Sequence, residues 1–335
     1  MDGRALKQRL DRDGYLFLRG VLPREEILAL RRRLLEQARR GGWLNEQEPL
    51  ESGIVDLGRA CKDPEPRYLE HFRPMWRLEA LHRMKHHPNL VGLFQRILGG
   101  PVLVHPMFVL RNIFPQTDRF DFTTGSHQDR IHIGGGPSYA CWMPIGDCAV
   151  AKGGLIIAAG SHQQGVLDFE LASGAGGIEV RDKFTEDWVG GDFAAGDVVI
   201  FSDTTVHKAL PNRSRELRQS FDARYQLLAD PIADLSVQPY AGILSWEEVY
   251  ADWRQDDLKY YWVKAGATVV AFDRQYYDKR DRLAFARAEA GDLLARDTLL
   301  RIVQRDTDAA KRARAAFLLE ALDQRSARAA APAAE

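Results

Sequence analysis

Between Val102 and about Leu228 the chain breaks into short apolar runs separated by Gly, Asp, Pro and Ser, and this texture is the strongest constraint on its fold. Short runs at such spacing suit strands of a sandwich or barrel, with the small and polar residues turning the chain between them. The candidate strands are Val102–Phe114, Tyr139–Ile145, Leu155–Ala158, Ile178–Val180, Asp197–Ser202 and Arg218–Leu227. They do not alternate with long helices, which argues against a doubly wound parallel sheet. Gly134-Gly135-Gly136 lacks the strand–helix context of a dinucleotide fingerprint and reads as a loop.

Helical patterns flank this segment. Leu6 to Asp13 reads as a helix, Gly14 to Leu18 as a strand, and Pro23 opens a second helix with Ile27, Leu28, Leu30, Leu34 and Leu35 near the 3.6-residue period. Residues 41–78 read as irregular, a candidate lid or plain coil. Pro88 to Leu98 is a helix stopped by Gly99-Gly100. Beyond residue 240, Trp246, Tyr250 and Trp253 share one helical face, and leucine-rich periodicity continues to about Leu322. The expected organisation is a β domain with N-terminal helices over 1–240, a helical extension over 241–325 that either packs on the barrel or serves between subunits of a homo-oligomer, and a frayed tail over 326–335.

Bulk composition narrows the function. With 335 residues and a formal net charge of −1, nothing points to nucleic acid or an anionic membrane as a partner. The Arg31-Arg32-Arg33 cluster reads as a solvated helix face. No apolar run reaches the length of a membrane span, and the N-terminus lacks a signal-peptide core. Three cysteines without paired spacing suit a reducing cytoplasm.

The chemistry-bearing residues lie inside the β segment. His127 and Asp129 stand in Gly-Ser-His-Gln-Asp-Arg, and His207 follows the strand that Ala-Gly-Asp introduces. Two imidazoles and one carboxylate form the facial triad that holds non-haem Fe(II) and leaves other coordination positions open. On a strand, residues two apart face one side, so His127 and Asp129 could reach one ion together. Each histidine alone is better explained as an ordinary surface or core residue. Eleven residues after His207, Arg218 opens a run in which Arg218, Ser220, Asp222 and Arg224 share one face and Phe221, Ala223 and Tyr225 the other. A guanidinium on that polar face could grip a carboxylate by two parallel hydrogen bonds. Arg213, Arg215 and Arg224 are its rivals.

From about residue 7 to 228 the chain resembles the phytanoyl-CoA hydroxylase family of Fe(II)/2-oxoglutarate oxygenases. Four segments carry the likeness: Asp-Gly-Tyr-Leu-Phe-Leu-Arg-Gly-Val-Leu near the N-terminus; His127-Gln128-Asp129; the stretch from Cys141-Trp142 to Gly-Ser-His162, where Ala159 replaces the usual proline; and Ala-Gly-Asp-Val-Val-Ile-Phe followed by His207, Pro211-Asn212 and Arg218. The resemblance implies a double-stranded β-helix, a jelly-roll barrel, with iron on His127, Asp129 and His207. It implies that 2-oxoglutarate chelates the iron, with its distal carboxylate on Arg218. Gln128 and Trp142 occupy positions that often line the co-substrate pocket, though Trp142 serves equally well as a core aromatic. His162 reads as a loop residue.

The same likeness implies oxidation of an unactivated C–H bond with O2, coupled to conversion of 2-oxoglutarate to succinate and CO2. Related halogenases carry a small residue in place of the carboxylate, so Asp129 argues against halogenation. Desaturation, cyclisation and epimerisation remain open. For the substrate, Arg130, His132 and Arg111 are candidates, each matched by an equally ordinary packing role. A small metabolite is the preferred class, since no motif for CoA phosphates or an acyl carrier is present. Two rival classes stand beside this reading: a non-oxidative jelly-roll protein that binds metal or ligand, and a zinc hydrolase, which lacks a convincing general-base glutamate.

Overall fold

The computed structural model describes residues 2–118, 123–173, 176–181, 184 and 188–330. Helix α1 (Gly3–Asp13) is capped by the Asp2 side chain and ends on Gly14 in the left-handed conformation. Glycine is required there twice over: φ is 81°, and an added Cβ would stand 2.4 Å from His162 Nδ1. Strand β1 (Tyr15–Leu18) and helix α2 (Arg24–Arg40) follow, the latter starting directly after Pro23.

The expectation of an irregular stretch over 41–78 holds only in part. Residues 66–76 form α3 (Pro66–Trp76), with proline in the first turn and Tyr68, Leu69, Phe72, Met75 and Trp76 buried on one face. Pro74 inside the helix masked that period. Helices α4 (Glu79–Lys85) and α5 (Pro88–Leu98) complete the N-terminal group.

The expected strand Val102–Phe114 is two strands, β2 (Val102–Val104) and β3 (Val109–Ile113). Pro106 has no N–H to give a ladder, so the strand breaks around it. The break is held by the buried Lys85, whose ammonium donates to the carbonyls of His105 (2.7 Å) and Pro106 (2.6 Å). A short helix α6 (Arg130–Ile133) precedes β4 (Tyr139–Pro144) and β5 (Leu155–Ala158). Then come β6 (Phe169–Leu171), β7 (Ile178–Val180) and β8 (Trp188–Val189). Last are β9 (Val198–Ser202), β10 (His207–Ala209) and the long β11 (Arg218–Leu227).

These strands make a mixed helix–strand protein built on antiparallel sheets. The large sheet runs β1-β9-β4-β11-β2, with β3 also on β11, and the small sheet runs β10-β5-β8. Strands β6 and β7 pair as a separate ribbon. Ala140, Trp142, Val199 and Phe201 of the large sheet pack with Leu155 and Ile157 of the small one, so the two sheets share an apolar layer. The opposite, outer face of the large sheet carries Cys141, Met143, Ile200, Phe221, Ala223 and Tyr225, which join α1, α2, α3 and α5 in the main core. The alternation read in the Arg218 run is therefore present: its apolar side meets helices and its polar side faces inward.

C-terminal to the sheets, β12 (Ile232–Ala233) pairs in parallel with β13 (Val269–Val270), and α7 (Trp246–Tyr250) and α8 (Tyr261–Lys264) lie between them in sequence. Helices α9 (Gln275–Glu289), α10 (Arg296–Arg305) and α11 (Ala309–Ala330) bury Phe285, Leu299, Ile302, Leu318 and Leu322 in a core of their own, which Leu171 of β6 enters. Helix α11 runs to Ala330, into the segment expected as a frayed tail; residues 331–335 lie outside the described residues. Among the described residues no helix is long and apolar enough to cross a membrane.

Candidate metal centre

The two histidines are set by backbone before side chains are considered. The His127 N–H donates to the His207 carbonyl and the His207 N–H to the His127 carbonyl, each at 3.0 Å. This reciprocal pair puts the residues directly opposite each other in antiparallel chains, where side chains project to the same face. The ring centroids are 4.2 Å apart. His127 Nδ1 lies 2.8 Å from the Gly125 carbonyl and His207 Nδ1 3.0 Å from the Thr205 carbonyl. A carbonyl only accepts, so each Nδ1 carries the proton and each Nε2 keeps a lone pair.

Both Nε2 atoms converge on Asp129 Oδ1, at 3.9 Å from His127 and 3.8 Å from His207. Ligand atoms of all three residues lie within 4.8 Å of one another. The route by which Asp129 arrives differs from the expected strand. With φ −69° and ψ −28° it already has helical backbone as the residue before α6. The chain turns from sheet pairing into helix between His127 and Asp129, and the turn swings the carboxylate across.

The electrostatics suit a cation. Burial, then the neighbouring imidazole, pushes the His127 pKa well below its ordinary value, and burial lowers that of His207. Burial alone would raise the Asp129 carboxyl, but the Arg224 guanidinium overcomes it and holds the group low. Arg224 donates from Nη2 to Asp129 Oδ2 at 2.9 Å, both side chains being buried. The centre thus offers two neutral imidazoles and a carboxylate with Oδ1 turned inward and Oδ2 tied back, a donor set that fits a divalent metal. Arg224 was only a rival in the sequence; its place on the inward face of β11 was the signal for this role.

Arg218 sits six residues away on the same face and differs sharply from Arg224. It is 3% exposed, donates from Nη1 to Ser220 Oγ at 2.6 Å, and its Nε has no partner. Among the described residues no carboxylate lies within ion-pair distance, and burial lowers its pKa to about 10. A buried guanidinium without a counter-ion is costly unless an anion joins it, and its fork matches a carboxylate. The residues present therefore fit 2-oxoglutarate.

The other expected residues divide. The Gln128 amide ties loops together: its Nε2 donates to the carbonyls of Gly165 and Thr204, and its Oε1 accepts from the Leu167 N–H. Trp142 packs edge-on to Phe193, 4.8 Å between centroids, in the apolar layer between the sheets. Arg130 is likewise spent on structure, donating to Gly135 O, Gly136 O and Asp203 Oδ2. His132 lies nearer the centre, its ring 6.4 Å from that of His127, with Nδ1 3.3 Å from Tyr277 Oη and Nε2 buried without a partner among the described residues. Arg111 stands opposite Ser220 on the inward face, half-buried, with no hydrogen bond or ion pair among the described residues. Asp222, which sequence reasoning had not singled out, shares that face; burial raises its pKa to about 6, against the pull of Arg224. His162 is a loop residue, its Nε2 2.9 Å from the Asp11 carbonyl. The expected lid region lines something else: residues from 42–59, with Pro115, Ser214 and Arg215, wall a cavity of about 740 Å³ that neither the three metal-ligand candidates nor Arg218 lines.

A buried cluster of two histidines and one carboxylate, with an arginine that has no counter-ion among the described residues on the same inward strand face, is the arrangement of a non-haem iron oxygenase. Residues 10–220 match the phytanoyl-CoA dioxygenase family, and the chain belongs to that family. It is accordingly a dioxygenase dependent on Fe(II), 2-oxoglutarate and O2. The chain is 26% identical over 240 residues to 1-deoxypentalenic acid 11-beta-hydroxylase of Streptomyces exfoliatus, covering 67% of this chain and 81% of the relative. It is 21% identical over 228 residues to a probable phytanoyl-CoA dioxygenase of Caenorhabditis elegans, covering 64% and 72%. Among solved structures it is similar to the epimerase SnoN in complex with Fe3+, alpha ketoglutarate and nogalamycin RO, with a TM-score of 0.47, 22% identity and coverage of 68% and 84%.

Proposed function

We propose that His127, Asp129 and His207 hold the iron, that Arg218 grips the distal carboxylate of 2-oxoglutarate, and that the enzyme hydroxylates an unactivated C–H bond of a small metabolite. The observation that carries this reading is the buried, uncompensated Arg218 on the same strand face as the arginine that secures Asp129. The two sheets, with their shared apolar layer, support the double-stranded β-helix as the scaffold. A small-molecule substrate is supported by the name of the Streptomyces relative, a hydroxylase of a carboxylic acid.

Bound there, iron with 2-oxoglutarate and O2 supplies an oxidant for C–H attack, and succinate and CO2 are released. The chain's own residues do the arranging. The carbonyls of Gly125 and Thr205 fix the imidazole tautomers, and Arg224 keeps Asp129 ionised and aims Oδ1. Trp142, Phe193 and Phe201 hold water away from the layer beside the site. Arg111 on the inward sheet face and His132 near the ligands are the candidates for substrate contact, since among the described residues neither the Arg111 guanidinium nor His132 Nε2 has a hydrogen-bond partner. Succinate release dependent on added Fe(II) and 2-oxoglutarate tests the reading. Succinate production that persists unchanged in Asp129→Ala would sink the assignment of the ligands.

A further inference from the structure

Asp129 enters the metal centre from the start of α6, a helix of only 4 residues. A helix that short is not stable by itself, because one turn fixes several dihedrals for a single hydrogen bond. Its grip on Asp129 is nevertheless specific: the N–H groups of His132 and Ile133 donate to the Asp129 carbonyl at 2.8 and 3.1 Å. Whatever holds His132 and Ile133 therefore holds the backbone that carries the carboxylate.

The loop after β9 holds one side of α6, since the Arg130 N–H donates to the Asp203 carbonyl at 2.8 Å. The other supports come from beyond residues 10–220, the segment matched by the family. Tyr277 Oη of α9 lies 3.3 Å from His132 Nδ1, and Ser236 Oγ donates to the Ile133 carbonyl at 3.3 Å. Tyr276 and Leu283, also of α9, pack against the buried cluster of Ile131, Phe169 and Ile178, which sets α6 between α9 and the β6–β7 ribbon. The end of the helix is covered too. Gly134 has a φ of 63°, and an added Cβ there would stand 2.9 Å from Phe272 Cδ2. The support is itself braced: the Phe272 N–H donates to Asp234 Oδ1 at 3.1 Å, the Phe272 and Tyr277 ring centroids are 5.2 Å apart, and the Arg280 guanidinium stands 4.4 Å from the Tyr277 ring centroid.

Resting on the assignment of Asp129 as a metal ligand, we propose that α9 is a positioning element of the metal centre: Tyr276 and Tyr277 hold α6, and α6 holds the Asp129 carboxylate where the two imidazole nitrogens converge on it. The C-terminal helices then take part in making the metal site without supplying a ligand. A displaced carboxylate keeps its charge and loses its geometry, so the effect falls on metal affinity. Loss of a group that orients a ligand typically weakens metal binding about 10- to 100-fold.

The test uses the full chain freed of metal, with Co(II) as the probe, its affinity read by calorimetry and its coordination by the visible ligand-field bands. Tyr276→Ala is expected to weaken Co(II) about tenfold and to alter the bands, and Tyr276→Phe, which restores the ring, to return both to wild type. Tyr277→Phe removes only the hydroxyl beside His132 and is expected to weaken Co(II) about threefold. Leu322→Ala, in the separate core of α9, α10 and α11, is expected to lower the melting temperature and leave Co(II) affinity unchanged. Wild-type affinity in Tyr276→Ala overturns the proposal. So does an equal loss in Leu322→Ala, which would mean general loosening of the helices. Wild-type affinity in Tyr277→Phe removes the role given to the hydroxyl; if Tyr276→Ala does not fold, that same result overturns the whole proposal. Asp129→Ala separates the two levels. If it binds Co(II) as wild type does, the ligand assignment fails and the proposal with it; if it loses Co(II) while Tyr276→Ala does not, only the proposal fails.

Discussion

The large sheet is bordered by helices in two ways, and the contrast is instructive. On the outer face α1, α2, α3 and α5 meet it through leucine, isoleucine, phenylalanine and tryptophan, and Phe94 stacks on Tyr225 with 3.9 Å between centroids. Near the metal ligands α9 and α10 add directional contacts, Tyr277 on His132 of α6 and arginines on Asp63, to the apolar packing of Tyr276 and Leu283 on Ile131, Phe169 and Ile178. Apolar contact is non-directional and fixes the sheet whatever is bound. Ionic contact in a buried setting is directional and responds to each added charge. The first border builds the scaffold and the second borders the chemistry.

The largest effect should come from the centre itself. His207→Ala removes one of three ligands and should abolish iron-dependent succinate release while far-ultraviolet dichroism is unchanged; retained turnover would break the distinction between site and scaffold. Leu34→Ala on the outer border should cost about 2–5 kcal/mol in denaturant unfolding and leave iron affinity intact, because Leu34 is fully buried in the main core and touches no site residue. A loss of iron affinity in that variant would erase the contrast from the other direction. Arg218→Ala should raise the 2-oxoglutarate requirement about 10- to 100-fold with iron binding nearly unchanged. Arg224→Gln should do the reverse, weakening iron about 10- to 100-fold by releasing Asp129 Oδ2, with a smaller change in 2-oxoglutarate affinity.

The smallest effect is one of pH on the metal-free protein. Burial lowers the pKa of His82, His86, His105, His127, His132 and His207 below the ordinary value. Below about pH 6.5 the unfolded chain binds protons that the folded one refuses, so the folded state loses stability as pH falls from there and is independent of these groups above it. Thermal melting between pH 7.5 and 5.5 checks the sign, and iron should raise the whole curve without flattening it, because the two ligand rings it holds are already unprotonated in the folded state.

Much of this was readable in the chain, and the failures have causes. Strands Leu155–Ala158 and Arg218–Leu227 and helix Pro88–Leu98 match their expected bounds, because clean periodicity is bracketed by Gly, Asp or Pro. Pro106 split one expected strand and Pro74 hid a helix, since proline marks a local break without saying how neighbours will cover it. His127, Asp129 and His207 were found by residue type and order, but their meeting depends on a turn into α6 that spacing alone misassigned to a strand. Gln128 was a pocket candidate by family resemblance; only the tertiary positions of Gly165, Thr204 and Leu167 reveal that its amide makes three internal hydrogen bonds. The pairing of Arg224 with Asp129 spans 95 positions and no local rule reaches that far.

The most direct test of the central claim is anaerobic titration of the metal-free protein with Fe(II) and then 2-oxoglutarate, monitoring the weak visible charge-transfer band of the chelate. The account predicts a band that forms in wild type, fails in variants of His127, Asp129 or His207, and in Arg218→Ala needs far more 2-oxoglutarate. A well-folded wild-type protein that gives no band, or a band indifferent to those three residues, would contradict it.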